Sequence, residues 1–157
     1  MNLQKMSETA FLHYLDDAID SYANELLNSC RFSTKKEAIA FASWEFKEDI
    51  FKDGCHTENT FIFNLIHEDE PVGIIWLLIE NEVSFIGDFL VFPKYQGQGF
   101  GSEALKQVEA IARSEGTTAI RLGVFKHNLF AHKLYRKHGY STYKERETDC
   151  ILEKLLY

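Results

Sequence analysis

Three glycines alternate with other residues in Gln96-Gly97-Gln98-Gly99-Phe100-Gly101-Ser102, directly after a β-type apolar run and directly before a helical one. Glycine lets backbone N–H groups approach a ligand closely, and a helix start adds orphan N–H groups and a positive dipole end. Together they can hold a phosphate or pyrophosphate. Two other phosphate binders fail on spacing. A P-loop needs Gly, four residues and Gly-Lys-Ser/Thr, and no lysine follows Gly101. A dinucleotide fingerprint needs Gly-x-Gly-x-x-Gly after the first strand of a βαβ unit, whereas Gly101 follows Gly99 by two and the loop comes after a hairpin. The bland alternative is that the glycines only permit a tight strand-to-helix turn.

Other residue types that could do chemistry lie around this loop. Asp88 sits in the preceding strand, sharing a face with Leu90 while Phe89 and Val91 take the other. It is a candidate base, or else a partnered or solvated strand carboxylate. Glu82 reads as a turn residue and His56 as a solvated loop histidine. Tyr22 and Trp44 could line a ligand pocket, but their helical spacing favours core packing. His127, His132 and His138 are spaced by five and six, not by the three or four that share a helix face, so no metal is expected. Lys126, Lys133, Arg136 and Lys137 could neutralise ligand phosphates, although solvated surface charge is the commoner explanation.

These residues need elements to carry them. Apolar residues at helical spacing predict a helix over Glu8–Asn28 with Ser7 as N-cap, and a second over about Thr34–Phe51. In the second, Thr34 and Glu37 form a capping-box pattern, and Ala38, Phe41, Ala42, Phe46, Ile50 and Phe51 form the buried stripe. Strands are predicted over Thr60–Ile66, Val72–Ile79 and Val83–Phe92, with turns at 67–70 and 80–82. A helix over about Gly99–Ser114, a strand over Ala119–Phe125 and a helix over about Leu129–Lys137 follow. Two strands about a turn near Glu147 then end the chain. The expectation is a single α/β domain, 1–157, with a central mixed sheet and helices on both faces.

Composition sets limits on partners. With 157 residues and 45% hydrophobic content the chain can bury one core. No apolar run approaches the ~20 residues of a membrane helix, and no secretory signal is visible at the start. Three widely spaced cysteines, Cys30, Cys55 and Cys150, suit free thiols in a reducing cytoplasm. Net charge is −7, but residues 1–59 carry 11 acidic and 6 basic groups while residues 94–137 carry 8 basic and 3 acidic. The first segment would repel nucleic acid and anionic lipid and tolerate a cationic partner; the second would suit a polyanion.

Two segments resemble motifs of one family. Gln96, Gly99 and Gly101 fill the fixed positions of Gln/Arg-x-x-Gly-x-Gly/Ala, motif A of the GNAT N-acetyltransferases (about 88–115). Asn128-Leu129-Phe130-Ala131-His132-Lys133-Leu134-Tyr135-Arg136-Lys137-His138-Gly139-Tyr140 resembles motif B, Asn-x-x-Ala-x-x-Leu-Tyr-x-x-x-Gly-Phe (about 126–143), with Tyr140 for the final Phe. Tyr22-Ala23-Asn24-Glu25 is similar to a bacterial subgroup of the family. The resemblance implies a mixed, mostly antiparallel sheet and acetyl-CoA as co-substrate. Its pyrophosphate would lie on the N–H groups from Gly97 through Gln98, Gly99, Phe100 and Gly101 to Ser102. Its pantetheine would pair with backbone of Leu90 and Val91 and touch Asn128. Tyr135 would be the general acid, since a phenol can protonate a departing thiolate; otherwise it is a core aromatic. The acceptor would be an amine on a small molecule or peptide, cationic on the charge argument. The family often forms homodimers, and a non-catalytic acyl-CoA sensor on the same fold is the competing implication.

Overall fold

The computed structural model describes residues 1–157. Backbone contacts divide the chain into two compact units, one of residues 6–58 and one of residues 1–5 with 59–157.

In the first unit, α1 (Glu8–Asn28) begins at Ser7, whose side-chain oxygen accepts from the Ala10 N–H at 3.2 Å. This satisfies one of the donors that a helix start leaves unpaired. Helix α2 (Lys35–Trp44) begins in the same way, with the Glu37 N–H donating to Thr34 Oγ1. The helix predicted to run on to Phe51 changes its winding at Glu45. Residues Glu45–Ile50 form a π-helical turn, closed by the Phe51 N–H donating to Phe46 O at 2.9 Å. The physical reason lies in the sequence. Phe46 and Phe51 are five apart, so an α-helix would splay them by more than a residue step. The wider turn brings the two rings to 6.0 Å with an interplanar angle of 23°, and Phe11 closes on Phe51 at 5.2 Å. Phe11, Phe46 and Phe51 are all buried.

The second unit is a seven-stranded sheet with two helices. The strands are β1 (Asn2–Lys5), β2 (Thr60–His67), β3 (Glu70–Glu80), β4 (Val83–Val91), β5 (Ala119–Phe125), β6 (Ser141–Glu145) and β7 (Asp149–Leu155), in the order β1-β2-β3-β4-β5-β7-β6. Only β4 and β5 run parallel; every other neighbouring pair is antiparallel. The mixed, mostly antiparallel sheet is thus as expected, while β1 was not anticipated. Helix α3 (Phe100–Ser114) connects β4 to β5, as a parallel pair requires, and α4 (Leu129–Lys137) follows β5. The hairpin between β2 and β3 turns on Glu68 and Asp69, both at positive φ. Leu65, Ile75, Leu77, Leu105, Val108, Ile120, Leu122 and Leu152 fill the core of this unit.

One ion cluster is buried beneath α3. Glu109, 3% exposed, accepts from Tyr140 Oη at 3.1 Å and from Lys154 Nζ at 2.7 Å. Ser84 and Thr117 share a second buried contact at 2.8 Å.

Candidate active site

The site starts from an irregularity in β4. Trp76 of β3 pairs with Asp88 and Leu77 pairs with Ile86, so Gly87 is an extra residue, a β-bulge. A Cβ at Gly87 would fall on the Trp76 indole, which explains the glycine. The parallel pairing of β4 with β5 covers only Val83–Ile86 and Ala119–Leu122. Beyond it, β4 continues with β3 to Val91 and β5 continues with β7 to Phe125, so the two central strands part.

Backbone direction along the parted segment follows from the ladder. The Phe92 N–H donates to Val72 O at 2.9 Å, which turns Phe92, Leu90 and Asp88 towards β3. The N–H and C=O groups of Phe89 and Val91 therefore point to the β5 side. Leu90, expected to offer its backbone there, is directed to β3 instead, and its side chain is 43% exposed. Val91 faces the β5 side, and its carbonyl accepts from Gln96 Nε2 at 2.9 Å.

That contact folds the loop. A 3₁₀ turn at Pro93–Tyr95 follows β4. Gln96 then ties the loop back to the strand end, and Gln98 Nε2 donates to Lys94 O at 3.4 Å. Gly97 and Gly99 adopt φ of 76° and 88°, a region side chains disfavour, and a Cβ at either would meet nothing within 4 Å. The loop is therefore open on that side. Gly99 is the N-cap of α3 and no side chain caps the helix, so the first-turn N–H groups of Phe100, Gly101 and Ser102 face outward without an intrahelical acceptor. Phe100 is an anchor: its ring is buried, 4.8 Å from His67 and 6.4 Å from Tyr95. A Cβ at Gly101 would lie 3.4 Å from Leu134 Cδ2, ordinary contact.

Helix α4 supplies the rest. Asn128 is its N-cap, accepting from the Ala131 N–H at 3.1 Å. Tyr135 is 7% exposed, its ring 6.5 Å from Phe89 and 5.7 Å from Tyr140. Burial, and secondarily the charge of Asp88, push its phenol well above the ordinary tyrosine value. Tyr135 and half-buried Asp88 thus sense one another where the strands part. Tyr135 is also part of the buried core.

The remaining candidates are dispersed. His127 stacks on Phe125, His132 contacts Phe125 O at 3.2 Å, and His138 Nε2 lies 2.8 Å from Ser102 Oγ. No group of three or more His, Cys, Asp or Glu is placed to hold a metal ion. Lys126 pairs with Glu145 and Arg136 with Thr142, while Lys133 and Lys137 are exposed. Glu82 is a turn residue whose carbonyl accepts from the Thr118 N–H. His56 ends a short 3₁₀ turn. Tyr22 packs on Phe46. Trp44, expected in the core, is 54% exposed and lies against Phe41, because it stands two residues, about 200°, from Ala42 on the buried face of α2. Sequence reasoning missed Phe89 and the Ser102–His138 contact. A glycine inside an otherwise apolar strand was the available signal for the bulge.

A mixed, mostly antiparallel sheet with a glycine loop leading straight into a helix is the arrangement that the resemblance to motifs A and B implies, and the parting of β4 from β5 beside that helix start is added by the structure. The model of the acetyltransferase (GNAT) family matches residues 21–140, and the chain belongs to that family. The uncharacterized N-acetyltransferase YycN of Bacillus subtilis is 30% identical, over 98% of this chain and 97% of its own. The crystal structure of YycN matches with a TM-score of 0.86 over 92% of this chain and 94% of that one, at 28% identity. PaiA N-acetyltransferase of Thermoplasma acidophilum, solved in complex with coenzyme A, matches with a TM-score of 0.76 over 98% of each chain. At 17% identity that likeness is one of fold.

Proposed function

We propose that this chain transfers the acetyl group of acetyl-CoA to a primary amine by direct attack within a ternary complex. The observation that carries the reading is the parting of β4 and β5 at Gly87, flanked by the open first turn of α3. In this reading the pyrophosphate accepts from the N–H groups of the loop and of Phe100, Gly101 and Ser102. The pantetheine amides lie along β4 like an added strand and pair with the groups of Phe89 and Val91. Asn128 Oδ1 serves its helix, so the carboxamide NH2 is the part that would reach the pantetheine. A β4 N–H polarises the thioester carbonyl. The amine nitrogen attacks the carbonyl carbon, the C–S bond breaks, and Asp88 or a water it holds takes the amine proton. Tyr135 donates its proton to the departing sulfur. Holding both reactants together supplies much of the rate.

The acceptor is an amine on a small molecule or peptide, and the acidity of residues 1–59 favours a cationic one. The reading takes 1–157 as one functional domain, supported by a family match that runs across both units. Its three free thiols suit a reducing cytoplasm. The test is a thiol-release assay with acetyl-CoA over a panel of amines, alongside thermal shifts with acetyl-CoA, ATP and NAD and a sizing column for the homodimer. Acetyl-CoA alone should raise the melting temperature, Gly101→Asp should abolish that rise, and at least one amine should release CoA. No shift with acetyl-CoA would overturn the reading. A shift without thiol release from any amine would leave a non-catalytic acyl-CoA-binding module.

A further inference from the structure

His138 closes α4, its backbone N–H donating to Leu134 O and Tyr135 O. Its ring reaches across to the other helix, placing Nε2 2.8 Å from the hydroxyl of Ser102 in the first turn of α3. A serine hydroxyl carries one proton. If Nε2 is bare, Ser102 must donate to it and can only accept from anything else. If Nε2 bears a proton, Ser102 accepts from the ring and its own proton is free to point outward, alongside the orphan N–H groups of the same turn.

We propose that His138 is a positioning residue: a proton on its Nε2 turns Ser102 into a hydrogen-bond donor to the pyrophosphate of acetyl-CoA. The inference rests on the acetyl-CoA reading above. The charged groups facing the ring are Glu109 and Lys106 of α3, Lys137 of α4 and Lys154 of β7. Desolvation holds the ring below the ordinary histidine range, Glu109 opposes this, and the three lysines reinforce it. The ring is therefore neutral near pH 7, and a diphosphate arriving at Ser102 adds negative charge that favours the Nε2-protonated form. Binding then draws a proton to Nε2, by uptake from solvent or by exchange from Nδ1. Where it is taken from solvent, affinity strengthens as pH falls through the interval between the ring's bound and free pKa values.

The test combines kinetics with a direct view of the ring. Ser102→Ala should raise KM for acetyl-CoA about tenfold or more, the worth of one hydrogen bond to a charged group, while kcat falls far less. His138→Leu, which leaves the Ser102 proton free at every pH, and His138→Gln, whose side-chain N–H can donate to Ser102, should each flatten any pH dependence of KM. In wild-type protein with 15N-labelled histidine, CoA should shift the Nε2 resonance to its protonated position. An Nε2 that stays bare in the CoA complex, or a Ser102→Ala variant with unchanged KM, overturns the proposal. Failure of the wild type to bind acetyl-CoA at all would instead sink the functional reading. The labelled wild type answers even if a variant does not fold.

Discussion

Tyr135 is held under two opposing demands. Burial keeps its phenol neutral at every physiological pH, so the proton is always available. The same burial makes the phenol a weaker acid than one in water, so in the proposed reaction its transfer would accompany C–S cleavage rather than follow a formed thiolate. Replacing it by phenylalanine removes one oxygen from a packed position. Tyr135→Phe should therefore keep its stability within about 1 kcal/mol and its KM for acetyl-CoA within about twofold, while kcat drops roughly 10²-fold or more. Single-turnover thiol release checks this; unchanged turnover would remove Tyr135 from the chemistry. At this scale the sequence was informative about which residues matter and poor about what each touches. Gln96 and Asn128 stood out as motif positions, yet their observed contacts are a tie to Val91 O and an N-cap. Backbone direction decides between Leu90 and Phe89, and it depends on pairing that no residue type encodes.

Elements tell a different story, because periodicity speaks loudest over long amphipathic runs. Helices α1 and α4 begin and end at the residues expected of them, where caps and glycines punctuate the pattern. The π-turn escaped because a 3.6-residue period cannot represent a five-residue step, although both phenylalanines were recognised as buried. Strand β1 escaped because Asn2–Lys5 holds one apolar side chain and is ordered by pairing with β2. The Gly87 bulge makes the sharpest test at this level. Any Cβ there must displace the Trp76 ring from the centre of the sheet. Gly87→Ala should cost about 1–3 kcal/mol, as overpacking does, and should also weaken acetyl-CoA binding, since the strands part from that residue. Urea denaturation with a binding titration reads both; a variant of wild-type stability would contradict the steric account.

For the whole molecule, alkaline stability should mark how its tyrosines are held. Tyr22, Tyr135 and Tyr140 all have phenols pushed well above their ordinary value, by burial first and by Glu45, Asp88 and Glu109 respectively. Above pH 10 the unfolded chain releases these protons while the folded chain retains them. The folded state then binds more protons, so stability falls as pH rises, by about 1.4 kcal/mol per pH unit for each such group. Denaturant midpoints should be insensitive to these groups up to about pH 9.5 and decline steeply from pH 10; a flat profile to pH 11 would show the phenols to be solvated. The parted strands have a consequence of another kind. Backbone groups of Phe89 and Val91 that no neighbouring strand engages form an edge within the sheet, and such edges recruit extended peptides of any origin. A long thin cosubstrate lying along β4 would therefore also act as a guard against self-association.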